Sequence, residues 1–294
     1  MINKLKKIQV GMVTYGNLKY TKLTYKYLIK NTSIPVELFV VVGKPNDFQT
    51  IDFLRQHKIP YTYHIVNNGF PYSINDIYDY FWRGIRPSAD PIIIIGNDVM
   101  PFPGAIDKLV AHYDVSGFDW ISGAQRYTAR SFCDKYPEKS NMFTKTFGAK
   151  HNIDYSEIFD FRGSGGELVD LNTYKIIGDS HNLCLFSRQL FNRIGYVDTN
   201  YFPAYFEDND YARRAQLAKL NMVRVEDAKY FHFWSRTIYE ENMKKTNDKY
   251  FPLNKRYYIS KWGGEPGNEN VHYKDIRIMS RDNEDEILNH WRNI

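Results

Sequence analysis

Three groups of residues in this 294-residue chain have types and spacings suited to chemistry. Asp98 ends the turn Gly96-Asn97-Asp98, directly after the most apolar run of the chain, Ile92-Ile-Ile-Ile95. A carboxylate there stands over the edge of a sheet, where a hard divalent cation bridging two phosphates needs oxygen ligands. A turn-forming Asx residue explains the same placement, so Asp98 decides nothing alone. The second group is Glu207-Asp208-Asn209-Asp210, followed by Arg213-Arg214. Acids at a helix start complement the positive end of its dipole. Three acids in four residues exceed what a cap requires, and a carboxylate beside a pyrophosphate cleft can take a proton from a hydroxyl. The third is His232 in Tyr230-Phe-His-Phe-Trp-Ser235. On a strand it faces away from Phe231 and Phe233. Imidazole suits a transition metal such as manganese when carboxylate and phosphate oxygens complete the shell, although a lone His more often only packs.

The elements that must position these groups follow from periodicity. Residues 7–14 form a first strand ending at Tyr15-Gly16-Asn17, and a helix follows with Tyr20, Leu23, Tyr27 and Leu28 inward. Val36–Val42 has almost no polar interruption, as expected of a parallel strand covered on both faces. Asp52–His57 predicts a short helix and Tyr61–Val66 a third strand. Ser73 then stands as an N-cap before Ile74, Ile77, Tyr78 and Phe81. Ile92–Ile95 is the central strand, and a helix opening near Pro103-Gly104 carries Ile106, Leu109, Val110 and Tyr113. The first 115 residues thus alternate strand and helix, which implies an α/β fold with an open, mostly parallel twisted sheet and flanking helices. Ligands bind such sheets at the carboxyl ends of the strands, where Thr14–Asn17, Gly43, Asn67–Gly69 and Gly96–Asp98 fall.

From Asp119 to Ser180 the periodicity weakens around the Gly-rich Arg162-Gly-Ser-Gly-Gly166, which predicts a loop-rich region over the sheet. Order returns with a strand at 182–186, Ser187 as N-cap, and Leu190, Phe191 and Ile194 on the next helix. A helix from Glu207 to Asn221 precedes two short strands, Met222–Glu226 and Lys229–Phe233. The last sixty residues are polar and aromatic.

With 43% hydrophobic residues the chain has material for a buried core, and disorder is excluded. Seven of its lysines lie in the first thirty residues, so the net charge of +5 is local. Lys19, Lys22, Lys26 and Lys30 fall on one helical face, either as a solvated face or as a stripe that meets a polyanion. Cys133 and Cys184 lack metal or disulfide spacing. No apolar run has the length of a membrane span, and the start lacks a secretion signal, so a soluble, cytoplasmic protein without an integral membrane segment is expected.

Taken in order, these segments resemble the family 2 glycosyltransferases of the GT-A fold. Val10–Asn17 looks like their first strand and nucleotide-binding turn, and Asn67–Asn75 is similar to their Asn-x-Gly segment. Ile92–Gly104 resembles the metal-binding DxD region, Phe206–Arg213 the Glu-Asp base motif, and Phe231–Ser235 the late His of the metal site. Tyr257–Gly264 resembles a Lys-Trp-Gly segment of some members.

The resemblance implies a GT-A domain over residues 1–236, with a nucleotide-sugar-binding half (1–115) and an acceptor and catalytic half (116–236). Residues 237–294 form an extension that packs on it or acts as a lid. It further implies an inverting, metal-dependent hexosyl- or pentosyltransferase using a nucleoside-diphosphate sugar, UDP-linked by family habit, with Mn2+ or alternatively Mg2+. Asp98 and His232 hold the metal, and Glu207 and Asp208 are catalytic with Asp208 the base. Thr14, Tyr15, Gly16, Asn17, Gly43, Asn68, Gly69, Asn75 and Asn97 bind the donor. Asp210, Arg213, Trp234 and Trp262 serve the acceptor side.

The sequence departs from the pattern where Gly96 and Asn97 leave Asp98 the only acid of its turn, and where Gly43-Lys-Pro replaces an acid after the second strand, with Asp47 as a substitute. Polysaccharide, another glycan, a protein side chain, a lipid-linked sugar and a hydroxylated base in DNA all stay open as acceptors. A non-catalytic nucleotide- or carbohydrate-binding protein of the same fold is the rival reading, against which the intact Glu207-Asp208 pair speaks. A nucleotidyltransferase is a second rival, but it calls for a Gly-rich, basic segment after the first strand that this chain lacks.

Overall fold

The computed structural model describes residues 5–84, 87–128, 133–137, 168–171, 181–233, 238, 241–271 and 276–278. Strand β1 (Ile8–Thr14) is buried along its whole length, with β2 (Val36–Val42) and β4 (Ile92–Gly96) parallel on either side and β3 (Tyr61–Tyr63) outside β2. Helices α1 (Leu18–Lys30), α2 (Phe48–Gln56) and α3 (Phe70–Tyr78), the last extended by a π turn at Asp79–Arg83, make the crossovers.

Beyond β4 the sheet turns mixed. Strand β8 (Leu183–Phe186) runs antiparallel between β4 and β6 (Trp120–Thr128). Strand β6 is parallel to β9 (Met222–His232), which also carries the short antiparallel strands β5 (Val99–Pro101) and β7 (Leu168–Asp170). Helices α4 (Ala105–Ser116), α5 (Arg188–Ile194), α6 (Glu207–Leu217) and α7 (Lys244–Trp262) complete the described elements.

The isoleucine run shows why this sheet forms. Ile92 and Ile94 enter the core on one face with Phe39, Val41, Ile77 and Trp82, while Ile93 and Ile95 enter the other with Met12, Val40, Val42 and Leu109. Each such side chain contributes about 1.5–3 kcal/mol by leaving water. Helix α3 crosses β1 at Gly11, where a Cβ would lie 2.2 Å from Ile77. Only glycine lets the helix approach so closely.

Several elements differ from the sequence pattern. Helix α3 begins before Ser73, because Gly69 turns the chain at φ 86° and Pro71 fits the first turn. Ser73 Oγ donates back to the Gly69 carbonyl instead of capping. Strand β6 occupies the start of the region expected to be loops. It is covered on both faces and interrupted by Ser122, Gly123 and Gln125, so it shows no alternation. The two short strands expected after α6 are one, β9, with a register slip that absorbs residues 226–228 opposite Gly123 and Ala124. The Gly-rich 162–166 segment lies outside the described residues. Lys22, Lys26 and Lys30 are exposed on α1, and the ammonium groups of all four stripe lysines lie 5.0–5.9 Å from aromatic ring centres.

Helix α7 is tied to α6 by buried charge. Asp210 accepts from Arg214 Nε at 2.8 Å, Lys261 Nζ at 2.7 Å and Trp262 Nε1 at 2.9 Å, and Lys261 also reaches Asp198 at 2.7 Å. Tyr257 donates to Asp198 at 2.9 Å. Burial alone would raise the Asp198 carboxyl, but Lys261 beside it holds it down to about 2. That contribution is present above the ordinary value of 3.8 and is lost as pH falls toward 2. Replacing Lys261 by Met leaves the buried Asp198 carboxylate without its cation, while Asp210 keeps Arg214 and Trp262, and we expect a loss of about 3–5 kcal/mol in chemical denaturation at pH 7. The deficit should shrink as pH falls through the carboxylate range and Asp198 takes up a proton. A deficit independent of pH would remove the charge explanation.

Candidate active site

The carboxyl ends of β1, β2 and β4 open onto a cleft of about 460 Å³, whose far wall is the first turn of α6 with Ile238, Met243 and Asn247 from the C-terminal segment. Strand β4 stops at Gly96, and Asn97-Asp98 leads directly into β5, which pairs with the end of β9 so that Val99 lies opposite His232. The Phe233 N–H donates to the Asp98 carbonyl at 2.9 Å. This backbone pairing brings the two side chains together, His232 Nε2 lying 3.3 Å from Asp98 Oδ1.

Gln125 Oε1 on β6 is 2.9 Å from His232 Nδ1, closer than the Asn182 amide at 3.4 Å. A carbonyl oxygen accepts, so Nδ1 carries the proton and the Nε2 lone pair faces Asp98. The result is a nitrogen and oxygen ligand pair at the lip of the cleft, a donor set that suits Mn2+ when phosphate or water oxygens fill the other positions. Among the described residues no three His, Cys, Asp or Glu side chains group around one point.

Asn97 locks this turn to the first one. Its Nδ2 donates to Thr14 Oγ1 at 3.1 Å and Thr21 Oγ1 at 3.2 Å, and its carbonyl accepts from Thr24 at 2.7 Å. Thr14 therefore supports the cleft from beneath, while Asn97 lines it. The Asn17 N–H donates at 2.7 Å to Glu241, which also accepts from Lys44. Gly16 lies beneath that carboxylate at φ 68°, where a Cβ would meet it at 2.3 Å.

On the opposite wall, Tyr205 and Phe206 adopt left-handed backbone at φ 78° and 71° and turn the chain into α6. Glu207 and Asp208 thereby stand in its first turn and line the cleft, with Asp208 Oδ1 accepting from the Asn209 N–H at 2.8 Å. Burial, with the Asp208 charge beside it, pushes the Glu207 carboxyl well above its ordinary range.

Of the residues expected from sequence, the structure brings Tyr15, Gly43, Gly69, Asn97, Asp98, Glu207, Asp208 and His232 to one cleft. Asn68 is half-buried beside it, and its neighbour Asn67 lines it instead, accepting from the Gly69 N–H at 3.0 Å. Asn75 does not belong to the donor side. It is fully buried and exchanges two hydrogen bonds of 2.9 Å with the Val197 backbone, pinning α3 to the chain after α5. Asp210 and Trp262 are spent on the buried charge cluster, which removes them from the acceptor side. Arg213 is half-buried on α6 away from the lining, and Trp234 lies outside the described residues. Sequence reasoning missed Gln125, His181, Asn182, Tyr205 and Glu241. Only Gln125 gave a signal, as a polar residue emerging from a buried strand.

No protein-family model matches the chain, and no curated protein matches it. Solved structures do. The chain is similar to S. aureus TarS residues 1–349 at 15% identity and a TM-score of 0.53, covering 98% of this chain and 71% of that one. It is similar to the mannosyltransferase PcManGT from Pyrobaculum calidifontis in complex with GDP-Man and Mn2+, at 13% identity, a TM-score of 0.56, and coverage of 89% and 66%. GalNAc-T7 with UDP, GalNAc and Mn2+ matches at 11% identity and a TM-score of 0.54, over 78% of this chain and 44% of that one. The chain has the GT-A fold. Among the described residues no helix is long and apolar enough to cross a membrane.

The orienting role of Gln125 has a measurable consequence. Gln125→Leu frees the imidazole to rotate, and Mn2+ affinity followed by electron paramagnetic resonance should fall about 10- to 100-fold with the fold intact. Unchanged affinity would show that the amide does not set the ring.

Proposed function

We propose that the chain is an inverting, metal-dependent glycosyltransferase that moves a sugar from a nucleoside-diphosphate sugar to a hydroxyl acceptor. The observation that carries this reading is one cleft with the Asp98–His232 pair on one lip and the Glu207-Asp208 turn on the other. No Lys or Arg lines the cleft among the described residues, so a diphosphate entering it requires a cation from elsewhere. Asp98 and His232 would hold Mn2+, which supplies charge neutralisation at the leaving diphosphate.

The chain's own residues do the rest. Tyr15, Gly43, Asn67 and Gly69 line the cleft at the strand ends, where a nucleoside would bind. Asp208 takes the acceptor hydroxyl proton as that oxygen bonds to the anomeric carbon. The bond from that carbon to the phosphate oxygen breaks with its electron pair on the diphosphate. Attack from the face opposite the phosphate inverts the configuration. Glu207 stands beside Asp208 in the same turn, its carboxyl pushed upward by burial. UDP-linked donors head the order of trial, with GDP-linked donors second, and a polysaccharide, another glycan or hydroxylated DNA serves as acceptor.

Asp208→Asn should keep donor binding while turnover falls about 10²- to 10⁴-fold, read as released nucleoside diphosphate across a panel of donors and acceptors. Turnover at the unaltered rate would take the base role from Asp208. Excess EDTA should abolish transfer and added Mn2+ restore it, whereas full activity in chelator would exclude the metal.

A further inference from the structure

At the end of the sheet remote from the cleft, Arg83, Arg188 and Arg277 line a second pocket of about 250 Å³. Arg83 ends the π turn that extends α3, and α3 starts at the cleft, so a rise of about 1.5 Å per residue puts Arg83 roughly 20 Å away. Arg188 opens α5 just after β8, whose Phe186 lies opposite Ile92 at the start of β4, whereas the cleft lies at the Gly96 end of that strand. Arg277 arrives from the C-terminal part of the chain. Its neighbour Ile278 accepts from the Tyr196 N–H at 3.0 Å and donates to the Ile194 carbonyl at 3.1 Å. A Cβ at Gly195 would stand 2.0 Å from the Ile278 oxygen, so only glycine admits this stretch.

Two of the guanidinium groups are held in place by the protein. Arg83 Nη1 donates to the Tyr196 hydroxyl at 2.6 Å and lies over that ring, 5.6 Å from its centre; Tyr196 in turn donates to Asp79. Arg188 donates to the Trp82 carbonyl and sits 5.8 and 5.7 Å from the ring centres of Trp82 and Phe191. Burial and then the like charge of Arg83 lower the Arg188 pKa from its ordinary value, so the two cations stand near enough to oppose each other. Among the described residues no acid lines the pocket. Arg83 and Arg277 are exposed and Arg188 is half-buried, which leaves their remaining N–H donors open to a ligand.

Such a cluster calls for an anion, and its makeup selects the kind. A carboxylate carries a single charge and pairs with one guanidinium fork, whereas a phosphate carries up to two charges and offers oxygens in several directions. Three forks from three segments suit the phosphate. We propose that Arg83, Arg188 and Arg277 form a phosphate-binding site, separate from the cleft, that takes free phosphate or the terminal phosphate of a small phosphomonoester. The bound group joins the ends of α3 and α5 to the stretch 276–278. This site stands whether or not the chain is a transferase.

The test is calorimetric titration with inorganic phosphate, glycerol 3-phosphate and acetate at constant ionic strength, in EDTA so that no metal holds phosphate in the cleft. Wild type should bind phosphate, and Arg83→Gln, Arg188→Gln and Arg277→Gln should each raise its Kd about tenfold or more, since each removes a hydrogen bond between charged groups. Arg277→Gln, which alters an exposed side chain, carries the comparison if either of the others fails to fold. Phosphate should also slow hydrogen exchange at the Ile278 amide in wild type but not in Arg277→Gln. Tighter binding of glycerol 3-phosphate than of phosphate identifies a phosphomonoester as the ligand, and equal or weaker binding identifies free phosphate. The inference is overturned if wild type shows no saturable phosphate binding below about 10 mM, if acetate binds equally well, or if all three substitutions leave the phosphate affinity unchanged.

Discussion

The pairing of β5 with the end of β9 is the constraint on which the site depends. Strand β5 is only three residues long, yet Val99 and Met100 are fully buried and its ends are fastened on both sides. The Phe102 N–H donates to the Lys229 carbonyl, and Asn31 donates to the Pro101 carbonyl and accepts the Gly104 N–H through its own backbone. Because the backbone fixes residue 98 against residue 232, the carboxylate and the imidazole meet without either side chain having to reach. Asn97, bonded to the threonines of β1 and α1, prevents the turn from relaxing away from the first strand. A site assembled on strands in this way keeps its geometry better than one carried on loops.

The opposite lip is positioned by a different kind of force. Helix α6 begins without a side-chain cap, so its first turn is held from below. Asp210, one turn into the helix, is clasped by Arg214, Lys261 and Trp262, and Arg214 also satisfies the carbonyls of Ile194 and Tyr196. Buried ions of this kind are weak evidence for stability, since desolvation offsets their attraction. Their effect here is placement, for they join α5, α6 and α7 at one point directly behind Glu207 and Asp208.

Strands β1, β2 and β4 of the parallel half were legible because each is an apolar run, largely buried, that ends close to a Gly or Asn turn. Asp98, Glu207, Asp208 and His232 were legible because they stand at such ends or at a helix start. What escaped has physical reasons. Strand β5 is too short for any periodicity, and β6 is covered on both sides while carrying small and polar residues, so neither alternation nor continuous hydrophobicity appears. Asp210 and Trp262 are of the types that bind sugars, and nothing in their spacing reveals that they bind each other. Asn75 looks like a site residue in a segment that bends around the cleft, yet its amide is consumed by the backbone after α5. His181 and Gln125 reach the cleft, and Glu241 the first turn, from segments whose place is decided only by the assembled fold.

The Glu241 clasp gives the first turn an internal competitor. The Asn17 amide, one of the few backbone donors at the end of β1, is already engaged by a carboxylate held in turn by Lys44. Any ligand group that seeks this amide must exchange with Glu241, so its observed affinity is its intrinsic affinity reduced by the work of opening the clasp. A hydrogen bond to a charged group is worth about 1.5–3 kcal/mol, which corresponds to a reduction of roughly 10- to 100-fold. Met243 and Asn247 of the same segment line the cleft, so the carboxylate that occupies the first turn and part of the far wall belong to one stretch of chain.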